Sequence, residues 1–148
     1  PPADLIAPGE IAARSRLESF TSGDIARYAA ERDMVDIEGT SRLSQDLRWG
    51  LLSPNEVLAQ SRGPGSAKFE QEVAWRDFYA HLAWHTPRVL RETYRRDMAN
   101  LPWHDDAGGL AAWQHGRTGF PIVDASMRQL VATGAVGHGD DVGHCSYL

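Results

Sequence analysis

Cysteine is almost absent from this chain: Cys145 is the one cysteine among 148 residues, so no disulfide can form within it. That usage fits a reducing cytoplasm. No apolar run approaches the roughly 20 residues of a membrane span, and no signal peptide precedes Asp4. These absences predict a cytoplasmic protein with no membrane partner.

Lysine and net positive charge are also scarce. Arginine supplies 14 of the 15 basic residues, and the 20 acidic residues give a net charge of -5. Strong non-selective nucleic-acid binding favours a basic domain, so the net charge argues mildly against it, although it does not report local patches. An arginine bias suits phosphate recognition, but genome composition explains it equally well.

Alternating strand patterns are missing as well, and the 148 residues, 42% of them hydrophobic, predict one helical domain. Helices are predicted from residue 10 to about 20, then to about 32 after a break at 21–23, and from 54 to the Gly-Pro-Gly at 63–65. Further helices are predicted at about 67–85, 88–100, 107–115 and 121–134, and a structured loop at 33–46. Two signals are specific: the capping box at 53–56 (SPNE) and the terminal Gly134. The predicted fold class is all-α.

Residues 39–44 (GTSRLS) place three hydroxyl side chains within five residues, beside an arginine. A glycine-led loop can hold phosphate oxygens through its backbone amides and hydroxyls. Ser and Thr are also the usual helix N-caps, and composition alone favours that second role. The residue types therefore leave two interpretations of this loop, a phosphate cradle or a local cap.

The predicted helix at 67–85 carries Glu72, Trp75, Arg76 and Tyr79 on one face, at spacings of three, four and seven. Glu72 and Arg76 could form a surface pair worth about 0.2–0.5 kcal/mol. Alternatively, the carboxylate could hydrogen-bond the edge of a base while the indole stacks on it, a contact worth roughly 1–3 kcal/mol per base. The pattern leaves both possibilities open.

Three other groups of residues are weaker signals. Four arginines would share a helical face, which is more often a solvated surface than a phosphate-tracking patch: Arg88, Arg91, Arg95 and Arg96. Four tryptophans are expected in the core: Trp49, Trp84, Trp103 and Trp113. A late cluster has metal-ligand residue types, but its spacing matches no standard zinc pattern and no metal site is predicted: His138, Asp140, Asp141, His144 and Cys145.

Four motifs, in this order and at these distances, resemble the photolyase/cryptochrome family: residues 39–44, 72–79 (EVAWRDFY), 113–121 (WQHGRTGFP) and 122–130 (IVDASMRQL). The resemblance covers about residues 8–134 and is to bacterial enzymes that repair cyclobutane pyrimidine dimers. It implies that residues 1–148 are a partial helical FAD-binding domain, without the N-terminal antenna domain of the family. FAD is the implied cofactor and UV-damaged DNA the implied partner.

The resemblance also implies roles for individual residues. On the cofactor side it gives the flavin-contacting tyrosine, the segment that holds the FAD phosphates and an aromatic position near the flavin: Tyr28, Thr40, Ser41, Arg42, Leu43, Ser44 and Phe69. On the lesion side it implies that Glu72 hydrogen-bonds the bases and that Trp75 packs on them. The other implied residues face DNA or, for the tryptophan, relay electrons: Arg32, Arg76, Tyr79 and Trp103.

The tail at 135–148 departs from the family pattern. His138 stands where an asparagine would touch the lesion, Gly139 replaces an arginine that would meet DNA, and Asp141 replaces an arginine at the flavin pocket. Later flavin-binding residues and the inner relay tryptophans of the family lie beyond residue 148. Because a carboxylate near an anionic flavin raises its energy, we expect this chain to be weak or inactive in repair.

The main hypothesis is a photolyase-like flavin domain whose parent activity, a lyase reaction, is light-driven repair of pyrimidine dimers. One alternative is a cryptochrome-like blue-light signalling flavoprotein. A second is a degenerate helical domain that serves protein interaction without a cofactor. Glu72 and Trp75 favour repair, whereas the altered tail favours the interaction domain.

Overall fold

The computed structural model describes residues 5–34, 36–102 and 104–134, and within these ranges it contains helices, turns and loops but no strand. The predicted all-α fold class is therefore confirmed. In the same ranges no helix combines the length and apolarity that a membrane crossing requires.

The α-helices are α1 (Glu10–Ser22), α2 (Tyr28–Glu31), α3 (Ser44–Arg48), α4 (Pro54–Gln60), α5 (Ser66–His85), α6 (Ala107–Gln114) and α7 (Pro121–Thr133). Short 3-10 helices lie at Asp24–Ala26, Pro87–Leu90 and Arg96–Met98. The predicted bounds of α5, residues 67–85, differ from the structure by one residue at the start.

Both predicted helix ends are confirmed, although of the capping box only the bond to the Ser53 hydroxyl forms among the described residues, since the Glu56 carboxylate accepts from Arg14. The Ser53 hydroxyl accepts a hydrogen bond from the N–H of Glu56 at 3.0 Å, and Pro54 is the first residue of α4. At the end of α7, Gly134 has a φ of 71°, a left-handed conformation that closes the helix, and its N–H donates to the Leu130 carbonyl at 2.8 Å. These helix ends could be predicted from the sequence because each is fixed by residues within its own turn.

The main core lies between α1, the short α2 region, α3, α4 and the first half of α5. Its buried apolar side chains are Ala13, Leu17, Phe20, Ile25, Tyr28, Leu43, Leu52, Val57, Phe69 and Val73. The three from α1 recur at helical spacing, so they form one face of that helix. A smaller contact joins α6 and α7, where α7 buries Val123, Ser126 and Met127.

The second half of α5 extends away from this core. Its buried residues are Ser66, Phe69 and Val73, and no residue from 74 to 85 is buried. Phe78 was expected to continue the apolar face, but it is 52% exposed. Trp84 and Trp49 were expected in the core and are exposed instead, whereas Trp113 is half-buried. Periodicity identified an apolar stripe here, but not whether another element covers it.

The predicted helix at 88–100 is wrong. The Arg88 guanidinium donates to the carbonyl oxygens of Thr93 and Tyr94 at 2.8 and 2.7 Å, which folds the segment back on itself. Only the 3-10 helices Pro87–Leu90 and Arg96–Met98 form in this segment. The predicted arginine face is therefore absent, because Arg88 binds its own backbone and Arg95 pairs with Asp97 at 2.5 Å.

Two smaller boundaries also differ from expectation. The predicted second helix divides into the 3-10 helix Asp24–Ala26 and α2, and the predicted loop at 33–46 ends early because α3 begins at Ser44. The loop at residues 39–44 thus lies between α2, which ends at Glu31, and α3, which begins at Ser44.

Candidate functional site

The loop at residues 39–44 lies close to the backbone of α2. A Cβ added to Gly39 would lie 2.6 Å from the Glu31 Cβ and 2.7 Å from the Glu31 carbonyl oxygen. Only glycine fits such an approach without movement of the neighbouring backbone. The loop therefore packs against the end of the helix that carries Tyr28.

The turn at Arg42 and Leu43 combines a positive φ with a negative one, the sign pattern found in anion-binding concavities. Arg42 has a φ of 51°, the one positive φ of a non-glycine residue in the described ranges. Leu43 follows with φ -98° and ψ 0°. A residue of positive φ next to one of negative φ and ψ near 0° can turn successive N–H groups toward a common point, an arrangement called a nest.

The N–H groups of this nest are unpaired among the residues that the structure describes. Those of Arg42, Leu43 and Ser44 donate to no acceptor in the part of the chain that the structure describes. Meanwhile the Leu43 side chain is fully buried in the core, which anchors the turn from below. The turn thus offers free donors on a fixed support, which is what a phosphate oxygen requires.

The hydroxyls beside the nest do not serve as helix caps. The N-cap of α3 is Leu43, and no side chain bonds the free end of this helix. Thr40 and Ser41 are half-buried and make no side-chain hydrogen bond to another described residue, and the Ser44 hydroxyl lies 3.5 Å from Gln45 Oε1. The capping interpretation that composition favoured is therefore wrong.

Three aromatic rings, one each from α1, α2 and α5, pack together in the core. Phe20 lies 5.8 Å from Tyr28 and 4.9 Å from Phe69, and Tyr28 lies 5.3 Å from Phe69, measured between ring centroids. Burial raises the pKa of the Tyr28 hydroxyl above its usual value, although nearby Arg32 opposes the shift. Tyr28 and Phe69, both implied flavin contacts, are thus neutral aromatic members of the core.

An ion pair connects α2 to α5. Arg32, whose side chain is 7% exposed, lies with Nη1 2.5 Å from Glu72 Oε1, and Lys68 Nζ lies 3.1 Å from the same oxygen. The Arg32 guanidinium also lies 5.5 Å from the centroid of the Tyr28 ring. Glu72 therefore pairs with Arg32 and Lys68, not with Arg76 as the surface-pair alternative required.

The charges of this cluster hold one another ionised. Burial would raise the pKa of Glu72, but hydrogen bonds from Arg32 and Lys68 outweigh it, so the pKa lies below its ordinary value. Burial would lower the pKa of Arg32, but its hydrogen bond to Glu72 leaves that pKa raised. Glu72 is consequently a carboxylate at neutral pH, able only to accept hydrogen bonds.

Exposed aromatic rings continue along α5 beyond Glu72. Trp75, 45% exposed, lies 5.3 Å from Phe78 and 6.0 Å from Tyr79 between ring centroids. Arg76 beside them donates to the Leu47 carbonyl at 3.4 Å. The face therefore presents a carboxylate and then a cluster of flat apolar surfaces, as the helical spacing predicted.

The structure brings most of the implied residues together around α2. Gly39 contacts the last residue of that helix, and Arg32 immediately after it reaches Glu72, so α2 lies between the loop and the face of α5. Arg32 is buried here and contacts Glu72 and Tyr28, so any role toward DNA would pass through them. Trp103 and residues 135–148, including the late metal-type cluster, lie outside the described residues.

Sequence reasoning missed Arg16, Gln45, Asp46 and Lys68. Asp46 is buried and pairs with Arg16 across 30 positions of sequence. A signal existed, because Asp46 shares the i, i+3, i+4 pattern of a buried face with Leu43 and Leu47, and a buried carboxylate needs a cation. Its partner could not be identified from spacing.

Other surface features do not coincide with these residues. An open cleft of about 550 Å³ lies at the start of α6, lined by residues that include His104, Asp106 and Trp113, and none of the implied flavin or DNA residues lines it. Within the described ranges no three His, Cys, Asp or Glu side chains come close enough to hold a metal.

Known proteins are similar to this chain in sequence and in fold. Residues 69–139 match the family model described as the FAD binding domain of DNA photolyase. A deoxyribodipyrimidine photo-lyase of Thermus thermophilus is 43% identical over 130 residues, which are 86% of this chain and 31% of that protein.

Two solved structures extend the comparison. A class III photolyase from Agrobacterium tumefaciens superposes with a TM-score of 0.90 at 34% identity, over 95% of this chain and 31% of that one. A cryptochrome from Synechocystis superposes with a TM-score of 0.78 at 30% identity, over 90% of this chain and 30% of that one. This chain therefore spans about a third of the length of these relatives.

The described residues form a helical domain that superposes on solved photolyase and cryptochrome structures. This chain is related in sequence and in fold to the photolyase/cryptochrome proteins, so the family resemblance drawn from the four motifs is confirmed.

Proposed function

We propose that residues 39–44 bind the diphosphate of FAD and that this chain is the phosphate-binding and lesion-facing part of a photolyase-type domain. The observation that carries the proposal is the nest at Arg42 and Leu43, whose N–H groups have no acceptor in the described structure. A diphosphate supplies several oxygens that could accept from these groups and from the hydroxyls of Thr40, Ser41 and Ser44.

The residues present fit the cofactor at its phosphates. Gly39 allows the backbone to turn closely, and the buried Leu43 fixes the turn against the core. Tyr28 and Phe69 support the same region as neutral aromatic rings. When bound, FAD would supply the light-driven electron transfer that reverses a pyrimidine dimer.

The face of α5 would hold the DNA lesion. An ionised Glu72 can accept hydrogen bonds from base N–H groups, and its ion pairs with Arg32 and Lys68 keep it charged. Trp75 offers an exposed indole for stacking on a base, with Tyr79 beside it. Arg76 could add a contact to the DNA backbone, since it is exposed on the same face.

Repair is favoured over signalling by this same face. The likeness to a photolyase, with a TM-score of 0.90, is also greater than the likeness to a cryptochrome, at 0.78. A cytoplasmic location and UV-damaged DNA as partner belong to the same proposal. We infer in addition that this chain alone does not turn over dimers, because Asp141 and Gly139 differ from the family pattern and the Trp75 face is open to water.

A ligand comparison tests the proposed cofactor. Purified protein is titrated with FAD and with riboflavin, which lacks phosphates, while flavin fluorescence is followed. We expect FAD to bind at least about tenfold more tightly, since the charged hydrogen bonds of the nest exist only for FAD.

Hydroxyl variants locate the binding. Changing Thr40→Ala and Ser41→Ala together should weaken FAD binding and leave riboflavin unaffected. Ser22→Ala is the matched control, because its hydroxyl bonds only the Ser19 carbonyl at the end of α1. Absence of any flavin binding would favour the interaction-domain alternative.

A further inference from the structure

We propose that Arg16, Gln45 and Asp46 form a clamp that holds the phosphate-binding turn in its binding conformation. The proposal rests on the proposed function for the ligand, but its structural part does not. Its starting point is Arg42, which is held at a φ of 51° although it is not glycine. Such a conformation persists only where surrounding contacts enforce it.

Gln45 makes the contact that enforces it. Its side-chain Nε2 donates to the Arg42 carbonyl at 2.6 Å. In a planar trans peptide the carbonyl and the following N–H point in opposite directions. Holding the Arg42 carbonyl on the Gln45 side therefore turns the Leu43 N–H to the other side, where it is a free donor of the nest.

Asp46 orients the amide of Gln45. The same Nε2 lies 3.2 Å from Asp46 Oδ2. Both neighbours of Nε2 are oxygens that only accept, so the amide has one chemically consistent orientation. Both N–H groups of Gln45 are thus used, one on the turn and one on the carboxylate.

Arg16 fixes Asp46 in turn. Its Nη2 and Nε donate to Asp46 Oδ1 and Oδ2 at 2.8 and 3.1 Å, a two-pronged pair in which Asp46 is 1% exposed. The remaining Arg16 Nη1 donates to the Ala7 carbonyl at 2.8 Å. A fork of this kind has a fixed geometry, so the turn is positioned relative to α1.

The test replaces the one member of the clamp that carries no charge. Changing Arg16 or Asp46 leaves a buried charge unpaired and can unfold the protein. Gln45→Met keeps the bulk of the side chain and removes both donors. Arg14→Gln is the matched control, because Arg14 is also on α1 and pairs with Glu56 at 3.2 Å, outside the clamp.

Two readouts separate the clamp from general stability. The one-bond Cα–Hα coupling of Arg42, measured by NMR without flavin, distinguishes positive from negative φ. We expect Gln45→Met to abolish the positive value and Arg14→Gln to keep it. We further expect Gln45→Met to weaken FAD binding about fivefold to tenfold, as one lost hydrogen bond implies, with riboflavin unaffected.

A double-mutant cycle adds a specific prediction. Glycine adopts positive φ without strain, so in the Arg42→Gly background the clamp has less to enforce. There, Gln45→Met should weaken FAD binding less than about threefold. An equal loss in both backgrounds would overturn the clamp.

The remaining outcomes are distinct. If Gln45→Met leaves Arg42 at positive φ, the clamp is refuted even where wild-type protein binds FAD. If wild-type protein binds no FAD, the proposed function fails, and the coupling measurement alone decides whether the clamp exists.

Discussion

Replacing Glu72 with glutamine should destabilise the fold and remove one source of its acid sensitivity. Arg32 is 7% exposed and relies on Glu72, so Glu72→Gln leaves a buried cation with a weaker partner. Breaking a buried ion pair costs about 3–5 kcal/mol. Glu72 is 25% exposed and Asp33 also lies 3.3 Å from Arg32, so we expect a smaller loss of about 2 kcal/mol.

That loss corresponds to a melting temperature lower by about 6 °C for a chain of this size. The pKa of Glu72 is lowered in the folded protein, so its stabilisation is complete well above the ordinary value of 4.5. It is lost as pH falls below 4.5 through the folded-state pKa. The difference between wild type and variant should therefore be full at pH 7 and narrow progressively in acid.

Urea denaturation at a series of pH values measures this difference directly. Glu70→Gln is the matched control on α5, since Glu70 forms no ion pair in the described residues, and it should change stability by less than about 0.5 kcal/mol. A loss from Glu72→Gln no larger than the control, or one independent of pH, would refute the role assigned to the pair.

Three further changes have defined outcomes. Gly39→Ala should lower stability by about 1–3 kcal/mol in a thermal melt, because the new methyl group would lie within 3 Å of the Glu31 backbone. Asp124→Ala should speed hydrogen exchange at Thr118, whose N–H donates to that carboxylate at 2.6 Å. Because the hydrogen bond from the Thr118 hydroxyl lowers the pKa of Asp124, exchange at Thr118 in the wild type should speed up only in strong acid. With FAD added, the chain should give no light-dependent dimer reversal, and clear repair by the unmodified protein, beside Asp141→Arg, would show that the altered tail matters little.

The sequence predicted those parts of the fold that local chemistry determines. The ends of α4 and α7 follow from Ser53 and Gly134, and α5 follows from its length and pattern. The helix predicted at 88–100 failed because the bonds from Arg88 to two later carbonyls override helical preference. The prediction that Phe78 continues the apolar face was wrong for a different reason, since periodicity cannot show what covers an apolar stripe.

The sequence likewise predicted some parts of the candidate site and not others. Motifs identified the loop at 39–44 and the face of α5, but composition favoured capping for the hydroxyls. The nest was not predictable, because Arg42 is not a residue type that signals positive φ. The Arg32–Glu72 pair was also hidden, since its members are 40 positions apart and no local pattern relates them.

Amide NMR can show directly whether the turn at residues 42–44 binds the phosphates of FAD. Uniformly labelled protein is titrated with FAD, and the backbone N–H resonances are followed residue by residue. We expect downfield shifts at the N–H groups of Arg42, Leu43 and Ser44, which are free donors in the described structure. ADP should give the same shifts and riboflavin none. Binding of FAD that leaves these three resonances unmoved would contradict phosphate binding by this turn.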